Sequence, residues 1–182
     1  MLKFLKYIGQ LILSPGNGWE DVSHAGYDPK ALASMGLYPL IAITSITTFL
    51  GLVYIPDAQL VQMLQKAIIV FVQLFVSYFI SIAFFGAIMK FLVEGEPNEK
   101  KYTTVITYSI ALMALAKILE NCIPIQLPLL YFLYVYIALV IWKSVRYLAV
   151  KEKRVPYFMG MAISSIIILP FIIGWLLSSI IL

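Results

Sequence analysis

The stretch LYPLIAITSITTFLGLVYI, Leu37–Ile55, carries no charged side chain, and stretches of similar texture return four more times along the chain. A helix rises 1.5 Å per residue, so about 20 apolar residues cross the roughly 30 Å of bilayer hydrocarbon. Five segments meet that length: 35–54, 68–93, 102–121, 127–148 and 157–181. Their apolar runs are continuous and do not alternate at every second residue. They therefore read as helices and not as barrel strands. The expected fold is all-α: a polytopic membrane domain of five transmembrane helices over 35–182, preceded by an amphipathic interfacial helix and linker over 1–34.

Composition agrees. The chain is 62% hydrophobic and 12% charged over 182 residues, against roughly 25% charged in soluble domains. A soluble fold of this length could not bury so much apolar surface. The net charge of +4 is too small to imply nucleic acid, and the single cysteine, Cys122, excludes an internal disulfide.

The breaks between spans are punctuated. Asp28-Pro29 places an N-cap before a proline at the first helical position. Pro56-Asp57 separates the first two spans, and Asp57 is expected to cap the second. EGEPNEKK, Glu94–Lys101, reads as a solvated turn, NCIPIQLP, Asn121–Pro128, as a tight connection, and KEKRVP, Lys151–Pro156, as the last break. Eleven of the thirteen Lys and Arg residues fall before span one or around the second-to-third and fourth-to-fifth breaks. Only Lys66 and Lys117 fall on the other side. The positive-inside rule then puts the N-terminus in the cytoplasm and the C-terminus outside.

In the first 13 residues, Phe4, Leu5, Ile8, Leu11 and Ile12 share one helical face opposite Lys3, Lys6 and Gln10. Such a helix lies in the membrane interface with its lysines toward headgroups, or packs its stripe on the protein's own spans. No A-x-A-like cleavage site follows, so the segment is read as retained. In SPGNGWEDV, Ser14-Pro15 ends this helix, and Asn17 with Glu20 reads as a capping box for the next. Trp19 is expected at interface depth.

This order of elements resembles the Yip family of Ypt/Rab-interacting membrane proteins: an amphipathic helix, a proline-containing linker with Trp19-Glu20, then five spans with a cytoplasmic N-terminus. Leu37-Tyr38-Pro39 is similar to that family's L-Y-G-P element, and Tyr108-Ser109 to its G-Y-[SAC]-L-x-P element. The resemblance covers nearly the whole chain and implies a non-catalytic organiser of membrane or partner proteins. The family's eukaryotic members carry a longer cytoplasmic region before the first span, so a small GTPase is not an expected partner here. The nearer likeness is to bacterial members, which implies the cytoplasmic membrane. The expected partners are the lipid bilayer and, through helix packing, a second copy or other membrane proteins.

Three constellations remain. Lys66, Gln73, Ser77 and Ser81 line one face of span two. They read either as interhelical hydrogen bonding or as a polar path toward Thr103, Thr107 and Tyr108, as in a small transporter or channel. Lys117 and Glu120, with Asn121, read as a self-satisfied pair near the end of span three. Gly160-x-x-x-Ser164 and Gly174-x-x-x-Ser178 flank Pro170 in span five and read as close-packing faces, with a kink at the proline. Glu20 and His24 are four apart, but one histidine and no H-E-x-x-H motif make a solvated helical face the reading, without metal. No nucleophile–base–acid set and no phosphate-cradling glycine loop occurs, so neither enzymatic activity nor a cofactor is expected.

Overall fold

The computed structural model describes residues 1–123 and 130–181. Among these, the chain forms seven helices and no strand beyond one isolated bridge. They are α1 (Leu2–Leu13), α2 (Pro15–Ala25), α3 (Pro29–Tyr54), α4 (Leu60–Leu92), α5 (Glu99–Cys122), α6 (Tyr131–Tyr147) and α7 (Glu152–Ile181). Four of them, α3, α4, α5 and α7, are long and apolar enough to cross a membrane. Of the expected fourth span, the described part is α6. Its 17 residues reach about 25 Å, short of the hydrocarbon thickness by themselves. Most of the tight connection expected at Asn121–Pro128 lies outside the described residues.

The caps follow the local chemistry in most places. Asp28 accepts a hydrogen bond from Ala31 N–H at 3.4 Å ahead of Pro29, and Asn98 caps α5 by accepting from Lys101 N–H at 3.2 Å. Two expected caps are corrected. Helix α2 begins at Pro15, not after Asn17, because proline's fixed φ suits the first helical position; Asn17 lies inside the first turn. Asp57 sits at φ 59 in the turn, and Gln59 with Gln62 forms the capping box of α4 instead.

Both prolines inside apolar helices follow a widened turn. Ala33–Leu37 is π-helical just before Pro39, and Ile163–Ile168 is π-helical just before Pro170. Proline lacks an N–H and its ring meets the carbonyl four residues back, here Met35 and Ile166. A π turn shifts that carbonyl and keeps the helix running. Helix α7 therefore continues through Pro170 to Ile181.

Helix α5 is the hub. About 78% of its most apolar stretch is buried, against 39–44% for the other three long helices. It packs on α3, α4 and α6, while the second half of α7 lies along α4. The outer faces carry large exposed apolar side chains such as Val53, Phe79, Phe132, Trp175 and Ile180. In water this envelope would drive association; in hydrocarbon it is the expected surface.

At one end, antiparallel pairing of Val93 with Val150 clips the α4–α5 and α6–α7 connections together, with Glu94 N–H donating to Ala149 O at 3.1 Å and Lys151 N–H to Leu92 O at 2.9 Å. The α1–α2 hairpin docks at this same end, α2 against α6. Of the two destinations open to the α1 stripe, the bundle takes its centre: Phe4, Ile8 and Leu11 are buried, while Leu5 and Ile12 stay exposed at the fringe with Lys3 and Lys6. Trp19, expected among lipid headgroups, is only 2% exposed. Its indole N–H donates to Val140 O at 2.9 Å, and its ring stacks on Tyr147 at 5.7 Å. A buried indole must satisfy its N–H, and α6 supplies the acceptor.

Candidate functional site

The polar face of α4 divides in two. Lys66 and Gln73 line a cavity of about 440 Å³. Ser77 and Ser81 lie deeper and are fully buried, with Ser81 Oγ donating to Ser165 O at 2.7 Å. Lys66 and Gln73 thus face space and Ser81 a helix contact, while Ser77 Oγ is buried with no hydrogen-bond partner among the described residues.

The cavity opens at the end of the bundle opposite the hairpin. Its walls come from the end of α3, the start of α4, the end of α5, the start of α6 and the second half of α7. Lys117 and Glu120, one turn apart on α5, form an ion pair at 2.9 Å, and Tyr134 of α6 donates to the other carboxylate oxygen at 2.5 Å. Asn121 donates to Thr47 Oγ1 at 2.9 Å. The carboxylate is thus held from two helices, and the ion pair expected from spacing is a three-residue network. It is the one salt bridge among the described residues, so Lys66 brings a cation with no carboxylate partner. The lining combines Lys66, the Lys117–Glu120 pair and amides with apolar Phe171 and Trp175. Such a lining can hold a small polar or zwitterionic molecule. Among the described residues it contains no serine, threonine or cysteine nucleophile hydrogen-bonded to a base.

The close-packing faces of α7 also divide. Gly174 is buried, and a Cβ there would collide with the Gln73 side-chain amide; Ser178 lines the cavity. Gly160 and Ser164 are exposed, with nothing within 4 Å of a Cβ at Gly160. One small-residue face thus closes an internal contact, and the other is open.

The family-like residues sit in the core. Leu37 is buried and Tyr108 fully so, as is Ser109, while Tyr38 and Pro39 are half-buried. Tyr108 stacks on Phe4 at 5.1 Å and meets Trp19 edge-on at 6.3 Å, which joins the hairpin to the hub helix. Tyr38 packs edge-on against Tyr78 at 6.0 Å, and the Tyr78 hydroxyl lies 3.4 Å from Thr107 Oγ1.

Two glycines that the sequence reading passed over let this packing form. A Cβ on Gly18 would lie 3.0 Å from Leu11 Cα and N, and one on Gly36 would lie 2.6 Å from Phe4 Cδ1. Gly18 sits seven residues after Leu11 across a break at Ser14-Pro15, and only that hairpin spacing hinted at it. Gly36 carried no signal at all. Comparisons with protein-family models, curated proteins and solved structures return no match to this chain.

Proposed function

We propose that the chain is a five-span, non-catalytic membrane protein of the Yip type, organising membrane or partner proteins from a rigid platform on the cytoplasmic face. Helix α6 serves as the fourth crossing. In support, its start meets the end of α5 through Tyr134 and Glu120, and its far end meets the start of α5 beside the Glu94–Ala149 clip. It therefore runs most of the depth of the bundle in the opposite sense to α5. The basic residues of both clipped connections and of the hairpin gather at one end, which favours a cytoplasmic N-terminus and an outward C-terminus; the bacterial cytoplasmic membrane rests on the family resemblance alone.

The observation that carries the organising role is the hairpin itself. Phe4, Ile8, Leu11 and Trp19 are set into the core, so α1 and α2 form part of the bundle and present Lys3, Lys6, Glu20 and His24 outward. On the first half of α7, the open Gly160–Ser164 face gives another helix a place to approach closely. The test is the oligomer mass in nanodiscs, with membrane partners recovered after crosslinking in native membranes. The expected result is a self-associated or partner-bound species that Gly160→Ile weakens. A strict monomer at every concentration, without a crosslinked partner, overturns the reading.

One observation favours a second reading, a small transporter: Lys66 and Gln73 face the cavity. Against a through-path stands the contact of Ser81 with α7 below it. The transporter reading requires solute movement in liposomes that Gln73→Leu reduces; absence of flux dismisses it.

A further inference from the structure

Beside the hairpin, a groove of about 640 Å³ separates α2 from the start of α5 and the end of α6. Lys101, Lys143 and Arg146 line it, and one carboxylate, Glu20, faces them. None of the three cations forms an ion pair with a described residue. Instead, Lys101 lies over the Tyr147 ring at 5.3 Å and Lys143 over the Trp142 ring at 4.9 Å. Three cations drawn into one concavity repel each other, and aromatic faces offset only part of that repulsion. The opposite wall is the first turn of α2, where Gly16 leaves open space.

A second feature leads into the same groove. On the outer face of α6, Phe132, Val135, Leu139 and Trp142 are all exposed. Their spacing of three, four and three aligns them in one stripe along the helix, and one further turn reaches Arg146. An apolar track ending in a cationic pocket has the shape of an acyl chain joined to an anionic headgroup.

We propose that this groove is a binding site for the phosphate headgroup of an anionic phospholipid, held by Lys101, Lys143 and Arg146, with an acyl chain along the α6 stripe. Arginine offers a planar fork to phosphate oxygens, and the two lysines add point charges. The proposal rests on the membrane-embedded reading and on α6 facing lipid, not on which leaflet holds the groove.

The experiment uses the full chain in neutral detergent. Native mass spectrometry follows titration with dioleoyl-phosphatidylglycerol and, separately, dioleoyl-phosphatidylcholine. One phosphatidylglycerol should bind well ahead of the choline lipid. Each Lys→Gln change should weaken it about fivefold, and the triple variant Lys101→Gln/Lys143→Gln/Arg146→Gln about a hundredfold. A charge-matched control at the same end, Lys3→Gln/Lys6→Gln/Lys153→Gln, should stay near the unmodified protein. Equal losses in both triple variants would reduce the effect to a diffuse field and overturn the site. Equal binding of both lipids would overturn it as well. Inorganic phosphate and glycerol 3-phosphate form a competing arm: displacement of the lipid at low millimolar concentration would assign the groove to a soluble phosphate and remove the acyl track. If the triple variant fails to fold, quenching of unmodified protein by brominated phosphatidylglycerol decides, through comparison with Trp142→Phe. Quenching that persists undiminished in Trp142→Phe would place the lipid elsewhere. Failure here leaves the five-span reading standing, because topology is measured separately by cysteine labelling.

Discussion

Gly36 and Phe4 should behave as one unit, and a double-mutant cycle measures it. A methyl group at Gly36 would sit 2.6 Å from Phe4 Cδ1, whereas carbon atoms pack at about 3.5–4.0 Å. The ring must therefore move by about 1 Å or leave its place against Tyr108. Overpacking of this kind costs about 1–3 kcal/mol. Phe4→Ala alone removes a side chain that is 4% exposed, which costs about 3–5 kcal/mol. In that background the obstacle at Gly36 has gone. Gly36→Ala then gains up to about 1 kcal/mol, since alanine loses less backbone freedom in a helix than glycine. The sign of the Gly36→Ala effect should thus reverse, with a coupling of about 1–4 kcal/mol, the difference between those two effects. Unfolding of all four proteins in mixed micelles of mild detergent and dodecyl sulfate, followed by circular dichroism, gives the cycle. Additivity within about 0.5 kcal/mol would mean that the ring does not occupy the space over Gly36, and the docking of α1 drawn here would be wrong.

Three further outcomes follow. Gly18→Ala should lower stability by about 1–3 kcal/mol in the same unfolding assay, because the added methyl meets Leu11 backbone that cannot rotate away; an unchanged midpoint would contradict the close crossing of α1 and α2. Tyr134→Phe removes a hydrogen bond to a carboxylate that is partly exposed, so the loss should be near the low end of about 1.5–3 kcal/mol. It should vanish in a Glu120→Met/Lys117→Met background, where no acceptor remains for the hydroxyl, and persistence there would point to lost packing instead. Cys122 is exposed and free, so a membrane-impermeant maleimide should label it from outside intact cells. In a Cys122→Ser background, Ser179→Cys should also react from outside and Lys153→Cys only after permeabilisation; the same sidedness for Lys153→Cys and Ser179→Cys would exclude the crossing by α7.

What was legible in the sequence was whatever a single segment decides for itself. Uninterrupted apolar runs give α3, α4, α5 and α7, because hydrocarbon forces every backbone group to bond within its own segment. Asp28-Pro29 gives its cap for a similarly local reason. What stayed hidden depends on which helix lies opposite. Phe4, Ile8 and Trp19 have the right chemistry for a membrane interface, and nothing in their spacing says that α6 will offer Val140 O to the indole. Likewise Lys66, Gln73, Ser77 and Ser81 form one regular face, but Gly174 and Ser165 on α7 decide where space ends and contact begins. The π turns were hidden for another reason: proline predicts a disturbance in the helix, and its form, here a widened turn just before each proline, depends on the surrounding packing.

The placement of α5 at the hub follows from the same distinction between local and opposite. Lipid tails are as apolar as leucine, so hydrophobicity alone does not draw helices together in a bilayer; close packing and hydrogen bonds do. Helix α5 is the best supplied with both, carrying Ala111, Ala114 and Ala116 alongside Thr103, Thr104, Thr107 and Ser109, all buried. Two of its threonines are satisfied within the helix: Thr104 Oγ1 donates to Lys100 O and Thr107 Oγ1 to Thr103 O, each at 2.7 Å, while the Thr103 and Ser109 hydroxyls are buried without a hydrogen-bond partner among the described residues. A helix with this many small buried side chains lets its partners approach closely, whereas a helix dressed only in Phe, Ile and Trp would hold them apart. The least greasy span is therefore the one that the others surround. Replacing Ala111, fully buried, by Leu should for that reason damage the bundle more than the same enlargement at Ala83, which faces outward on α4.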